Sequence, residues 1–199
     1  AIARMAVTCG VGINSAMASA INVLGDVHGG AGEQCVELYR AVAERSAGGT
    51  PILEAVAAEA AALADKGVRY LPGFGHRFHP VDPRAPRLLE LVDEAAALGV
   101  VSGRFAAIGR AVEAHLAGAK GRRVPMNIDG ATAVIYAELG FPPPLCRGLF
   151  VLSRSVGILA HAWEQMQEGG RNKGPIPRDY RWSYRGPEHR SLEKKAPAD

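Results

Sequence analysis

Three short stretches of the chain set ionisable side chains beside glycine: GDVHGGAGE at 25–33 around His28, PGFGHRFHPVDPR at 72–84 around His76, and PMNIDGATA at 125–133 around Asp129. Loops carry function more often than the elements they join, and glycine lets backbone come close to a ligand. Two histidines and a carboxyl group around one substrate can move protons and stabilise a developing negative charge. Taken singly each has an ordinary explanation, since a lone histidine is commonly structural and an aspartate ahead of a helix, as Asp129 is, commonly caps it. Their joint placement in glycine-marked turns favours a site. The middle stretch also offers His76, His79 and Asp82, ligand types for a metal-dependent hydrolase. Pro80 and Pro83 favour an extended loop there, and no HExxH helix exists, which argues against that chemistry.

These residues need elements to hold them, and the pattern is helical almost throughout. TPILEAVAAEAAALADKG has Thr50 as N-cap, Pro51 at the first helical position and Gly67 just past the end. Further helices are expected over 87–98, 104–117, 130–139 and 144–168, the last stopped by Gly169 and Gly170. No alternating β-branched run is long enough for a sheet, so the expectation is an all-α fold. The apolar stretch 148–162 is shorter than the ~20 residues of a spanning helix and carries Arg154 at its middle, so it reads as a buried helix and not a membrane segment. One turn from Phe150 and Ile158 and two from His161, Arg154 would be carried inward, where either a bound carboxylate or a protein acid must pair with it. GFGHRF lacks the third glycine and the preceding strand of a dinucleotide site.

With 199 residues and 48% hydrophobic content the chain can bury a real core. Its 23 basic and 20 acidic residues leave a formal charge of +3, which argues against nucleic-acid binding through a broad basic face. KGRR at 120–123 reads first as a solvated charge run. Cys9, Cys35 and Cys146 are odd in number and widely spaced, so neither a disulfide framework nor a zinc site is expected, and a reducing, cytoplasmic setting fits. Residues 1–25 put Arg4 before an apolar run that ends near ASA, like a secretory leader, but Gly10, Gly12 and Asn14 interrupt the run. The pattern continues unbroken into INVLGDVHGG without an initiator Met, so the chain is expected to begin part-way through a longer protein. The tail from Arg171 is rich in Pro, Arg and aromatic residues and turns polar at SLEKKAPAD, whose last residues are expected to be disordered.

In order and spacing, HGGA at 28–31, PGFGHRFHPVDPR at 72–84, NIDG at 127–130 and RSVGILAHAWEQ at 154–165 resemble the citrate synthase superfamily. NIDGATA and GLFVLSRSVGILAHAWEQ are most similar to its citryl-CoA lyase branch, including the lyase module of ATP-citrate lyase. Synthases usually carry an aromatic residue after the aspartate, where this chain has Gly130. The resemblance implies a two-lobed all-α fold with the active-site cleft between a large lobe (1–30 and 140–199) and a small lobe (31–139), the family's N-terminal part being absent. It also implies a homodimer or higher homo-oligomer acting on an acyl-CoA and a di- or tricarboxylate, with no permanently bound cofactor, no metal, no nucleic acid and no membrane.

Carried over residue by residue, the resemblance makes His28 the donor to the thioester oxygen. His76 becomes the group serving the hydroxyl or keto oxygen, and Asp129 the acid or base at the methyl carbon. Arg84, Arg154 and Arg178 would hold substrate carboxylates, guanidinium forks matching them with paired hydrogen bonds. The coenzyme A thioester would lie against Leu71, Pro72, Gly73, Phe74 and Gly75, with Lys120, Arg122, Arg123 and Asn127 near its phosphates. The implied reaction is cleavage of citryl-CoA to acetyl-CoA and oxaloacetate. Citrate or 2-methylcitrate synthase is the alternative, and a metal-dependent hydrolase or a non-catalytic homologue stands outside the family's chemistry.

Overall fold

The computed structural model describes residues 1–172 and 174, and among them it has eight helices and no strand. They are α1 (Ile2–Thr8), α2 (Ile13–Asn22), α3 (Ala31–Ala47), α4 (Ile52–Asp65), α5 (Ala85–Ala97), α6 (Arg104–Lys120), α7 (Ile128–Glu138) and α8 (Pro143–Glu168). The only ladder-type pairing among the described residues is a pair of isolated bridges, Gly25 with Gly29 and Phe74 with Met126. Both lie in turns that carry the candidate chemistry.

Helix α3 is the centre of the packing. Its Val36, Tyr39 and Val42 are fully buried against Val56 of α4, Ile108 and Val112 of α6 and Val134 of α7. Each such side chain contributes on the order of 1.5–3 kcal/mol on burial, so this cluster supplies most of the cohesion around the site. A second, smaller cluster joins α1, α2 and the far end of α8 through Ala3, Val7, Ala16, Ala20 and Ala162. Alanine on all three helices lets their backbones approach closely.

Several helix ends differ from expectation for identifiable reasons. Pro51, not Thr50, caps α4: its ψ of 141° is extended and its carbonyl accepts the N–H of Ala55 at 2.9 Å, so the helix starts at Ile52. Helix α5 begins at Ala85, with Pro86 in its first turn, and α6 runs on through Gly118 to Lys120, stopping where Gly121 turns left-handed at φ +60°. Glycine after α8 does what its position promised, Gly169 adopting φ +67°.

Helix α8 overturns its reading as a buried helix. It has 26 residues and a mean hydropathy of 1.2 over its most apolar window, the length and composition of a membrane-crossing helix, yet core helices pass the same test. It packs against α1, α2 and α3, buries Cys146 and Ala162, and leaves Leu152, Val156, Leu159 and Trp163 exposed. Apolar composition alone does not tell which face of a helix finds a partner.

Candidate active site

The loop after α4 and the start of α7 are built against each other. Gly73 has φ +82°, and a Cβ on it would lie 2.6 Å from Cys35 Sγ and 2.8 Å from Gly130 Cα. A Cβ on Gly130 would in turn sit 2.4 Å from the Gly73 carbonyl oxygen. With no side chain on either, the strands of loop meet closely enough to bond: Asn127 N–H donates to Gly73 O at 3.0 Å, and Gly75 N–H donates to Pro125 O at 2.7 Å. Asn127 Nδ2 adds a third bond to Gly75 O at 2.8 Å.

Asn127, and not Asp129, caps α7. Its backbone is extended, and its Oδ1 accepts the N–H groups of Asp129 at 2.9 Å and Gly130 at 3.2 Å. Both residue types cap well, so composition could not choose between them. The consequence is chemical: Asp129 sits in the first helical turn, and its carboxylate is spared from capping. Among the described residues that carboxylate accepts no hydrogen bond, the one contact to Asp129 from a side-chain donor, Thr132 Oγ1 at 3.2 Å, going to its backbone carbonyl. Burial pushes its pKa above the ordinary aspartate value; Arg84 pulls it down, Asp82 pushes it up, and Arg154 pulls it down more weakly. A carboxyl group so placed is a stronger base when ionised, the property a proton-transfer site needs.

Asp82 is fully buried. Its Oδ1 accepts from Arg84 N–H at 3.1 Å and Arg84 Nε at 2.9 Å, and its Oδ2 from Arg84 Nη2 at 2.8 Å and the Ile128 N–H at 2.9 Å. The Arg84 fork holds this carboxyl well below the usual carboxylate range, against the opposing effect of burial. Its lone pairs are thus committed to protein donors. Although the His76 and His79 rings lie 4.9 Å apart, no group of three His, Cys, Asp or Glu side chains suited to a metal comes together among the described residues.

His28 occupies a tight turn closed by the Gly25 N–H bond to His28 O at 2.9 Å, with Gly29 at φ +106°. The turn is tied down by Arg147 of α8, which bonds Asp26 Oδ1 at 2.5 Å through Nη2 and Glu33 Oε2 through Nε. His76 is fixed differently: its Nδ1 accepts backbone N–H groups from Phe78 at 3.1 Å and His79 at 3.0 Å. An accepting Nδ1 puts the proton of the neutral ring on Nε2, making that nitrogen a donor.

One cavity of about 620 Å³ is lined by His28, Arg84, Asp129 and Arg154, with Leu71 to Phe74 and Asn127 in its wall. His76 does not line it. It faces a neighbouring cavity of about 560 Å³ together with Gly75, Arg122 and Arg123, and the two share Tyr70, Leu71 and Phe74. Arg154 is exposed on α8, its guanidinium 5.4 Å from the centre of the Phe150 ring, so it is not carried into the core as its spacing suggested, and among the described residues no acid pairs with it. Of Lys120 only the backbone is described, ending α6, and Arg178 lies outside the described residues.

Sequence reasoning missed Asp82 as the partner of Arg84, Asn127 as the cap, and Arg147. The first two carried a legible signal, an acid two residues from an arginine and an Asn ahead of a helix. Arg147 carried none, its acids lying 121 and 114 positions away.

Residues 1–178 match the family described as citrate synthase, C-terminal domain. Citrate synthase 1 of Mycobacterium tuberculosis is 32% identical over 177 residues, covering 85% of this chain and 39% of that protein. The citrate synthase of Haloferax volcanii is 32% identical over 158 residues, 77% of this chain and 38% of the relative. Among solved structures, citryl-CoA lyase from Hydrogenobacter thermophilus superposes with a TM-score of 0.74 at 27% identity, covering 96% of this chain and 70% of that one. The citrate synthase of Thermoplasma acidophilum, in a ternary complex with carboxymethyl coenzyme A and oxaloacetate, superposes with a TM-score of 0.71 at 26% identity, covering 96% and 48%. The chain thus spans about two fifths of the length of these curated relatives. The eight-helix arrangement is the citrate synthase-like fold, and the chain belongs to the citrate synthase family, matching its C-terminal domain.

Proposed function

We propose that the chain carries the catalytic part of an enzyme that breaks the carbon–carbon bond of citryl-CoA, giving acetyl-CoA and oxaloacetate. The observation that carries this reading is the cavity in which Asp129, its pKa raised by burial, shares a wall with His28 and two guanidinium groups. Cleavage is a retro-aldol step: the tertiary hydroxyl gives its proton to solvent, the carbon–oxygen bond becomes a carbonyl, and the bonding pair departs to the methylene beside the thioester. Arg84 and Arg154 hold the carboxylates. His28 donates to the thioester oxygen as charge develops there, and Asp129 gives the carbon its proton. The CoA moiety lies along Leu71 to Gly75 into the second cavity, where Arg122 and Arg123 meet phosphate. A lobe of residues 1–30 and 140–199 closing on one of 31–139 would carry a substrate seated against His28 and Arg154 toward the side that bears His76, Arg84 and Asp129.

The condensing direction, citrate or 2-methylcitrate synthase, has its own support in the Nε2–H of His76, a donor suited to the keto oxygen of oxaloacetate, and in the identity of the relatives. Asp129 then removes the methyl proton, and hydrolysis of citryl-CoA follows. We place the protein in a reducing compartment as a homo-oligomer without resident cofactor, consistent with its three free thiols. The deciding experiment supplies the full-length protein with citryl-CoA, and separately with acetyl-CoA plus oxaloacetate, and follows oxaloacetate and free thiol. Oxaloacetate without free thiol from citryl-CoA supports the lyase; free thiol in the second mixture supports the synthase. Neither product, and no calorimetric binding of CoA thioesters, refutes both.

A further inference from the structure

Arg84 is the cation that the cavity holds beside Asp129, yet its side chain is more than half exposed and would by itself sample many rotamers. Asp82 removes that freedom. Its two oxygens grip Nε and Nη2 of Arg84 at 2.9 and 2.8 Å, taking one edge of the guanidinium and leaving Nη1 without a bonded partner among the described residues. The same Oδ2 accepts the N–H of Ile128, the residue before Asp129, at 2.9 Å. One buried carboxylate therefore touches both the carboxylate-binding arginine and the backbone that carries the acid.

We propose that Asp82 is a positioning residue for this site: it fixes Arg84 and the first turn of α7 to each other, so that the free edge of the guanidinium and the Asp129 carboxyl meet the substrate in a set relation. This rests on the proposed reaction for the substrate's identity, while the coupling of the three residues stands on geometry alone. Asp82 does more than brace. Facing Asp129 are Arg84 and Asp82 from the loop, Arg154 from α8 and Cys35 from α3, with His28 and Asp26 across the cavity. Asp82 and Arg84 act on Asp129 with opposite signs, and the ion pair keeps the arginine available to a carboxylate without letting it hold the acid permanently ionised.

The change Asp82→Asn keeps the volume but turns one acceptor into a donor. Whichever way the amide faces, two of the four donors lose their acceptor and Arg84 keeps one of its two side-chain bonds, so the grip loosens while the charge stays beside Asp129. In the full-length protein labelled with ¹³C at aspartate carboxyls, the Asp129 resonance, identified by its absence in Asp129→Asn, is titrated in wild type, Asp82→Asn and Arg84→Ala. The midpoint is expected to fall in Asp82→Asn, where Arg84 acts unopposed, and to rise in Arg84→Ala, where Asp82 does. Calorimetric binding of oxaloacetate should weaken about tenfold or more in Asp82→Asn, the scale of a charge-assisted contact. A midpoint unmoved in both variants, or displaced in the same direction in both, overturns the opposed charges, and unchanged oxaloacetate affinity in Asp82→Asn overturns the positioning; either result sinks the proposal. If Asp82→Asn does not fold, Asp82→Ser, smaller and uncharged, takes its place in the same two measurements, and unchanged oxaloacetate affinity there overturns the proposal. Because the titration needs no turnover, an inactive wild type would refute the reaction and leave this result standing.

Discussion

Gly130→Ala sets two magnitudes against each other. Replacing glycine by alanine in a helix is worth up to about 1 kcal/mol in backbone entropy, and at Gly118 of α6, where a new Cβ would meet nothing within 4 Å, that gain should appear as stabilisation. At Gly130 the same methyl group would lie 2.4 Å from Gly73 O and 2.5 Å from Met126 Cγ. Carbon and oxygen need roughly 3.3 Å, so the loop must retreat by about 1 Å, near the limit of what close-packed atoms concede. Overpacking of this kind costs about 1–3 kcal/mol, and retreat also strains the 3.0 Å bond from Asn127 N–H to Gly73 O, worth about 1 kcal/mol. The balance is a net loss of about 1–3 kcal/mol, or roughly 2–4 °C in Tm for each kcal/mol in a protein of this size. Paired thermal melts of the two single variants provide the assay. Gly118→Ala should melt at or above wild type and Gly130→Ala several degrees below. Equal gains in both would refute the argument, because the loop could not then be seated on α7.

Asp129→Asn should abolish solvent deuterium exchange into the methyl group of acetyl-CoA in the presence of oxaloacetate, a loss of about 10²–10⁴-fold, and equal exchange in both proteins would remove Asp129 from the chemistry. Its stability should behave oppositely. The folded carboxyl has its pKa raised, so its favourable contribution is full below the unfolded value and is lost as pH rises through the folded one. At neutral pH Asp129→Asn should therefore melt at or above wild type, the gap closing as the solution is acidified. Asn127→Ala should cost about 1 kcal/mol for the lost cap, within a range of roughly 0.5–2, and should also weaken CoA binding through the lost bond to Gly75 O, as urea titration and calorimetry would read. Arg154→Ala should leave stability within about 0.5 kcal/mol, because the side chain is exposed, while weakening oxaloacetate binding; unchanged affinity would take Arg154 out of the site.

The sequence reading succeeded where the signal was local. Glycine and proline punctuation gave α4 to α8 to within a few residues, and four ordered motifs pointed to the family later matched over residues 1–178. It failed where the outcome depends on the third dimension. Asn127 and Asp129 are equal caps by type, and only the extended backbone at 127 decides between them. Asp82 stood beside two histidines in the chain, and burial against α7 turned it from a candidate ligand into the partner of Arg84. The apolar composition of α8 reads as a buried helix, but composition does not specify a neighbour for each face, and Leu152, Val156, Leu159 and Trp163 stay exposed. The division of the glycine-marked turns between two cavities, with His76 apart from Asp129, is likewise a matter of where Phe74 lies between them.

The bridge between Phe74 and Met126 has a mechanical meaning. Three hydrogen bonds tie residues 73–75 to 125–127, and both ends are anchored, one by Met126 in the core and the other by the Asn127 cap. The loop proposed to carry the thioester and the helix turn that carries the acid therefore form a single rigid part, and their mutual alignment is set when the chain folds. On the opposite wall Arg147 fastens the His28 turn in the same way. The closure proposed above would then adjust only the separation of two preassembled parts, a motion with few degrees of freedom, leaving the groups within each part already in register.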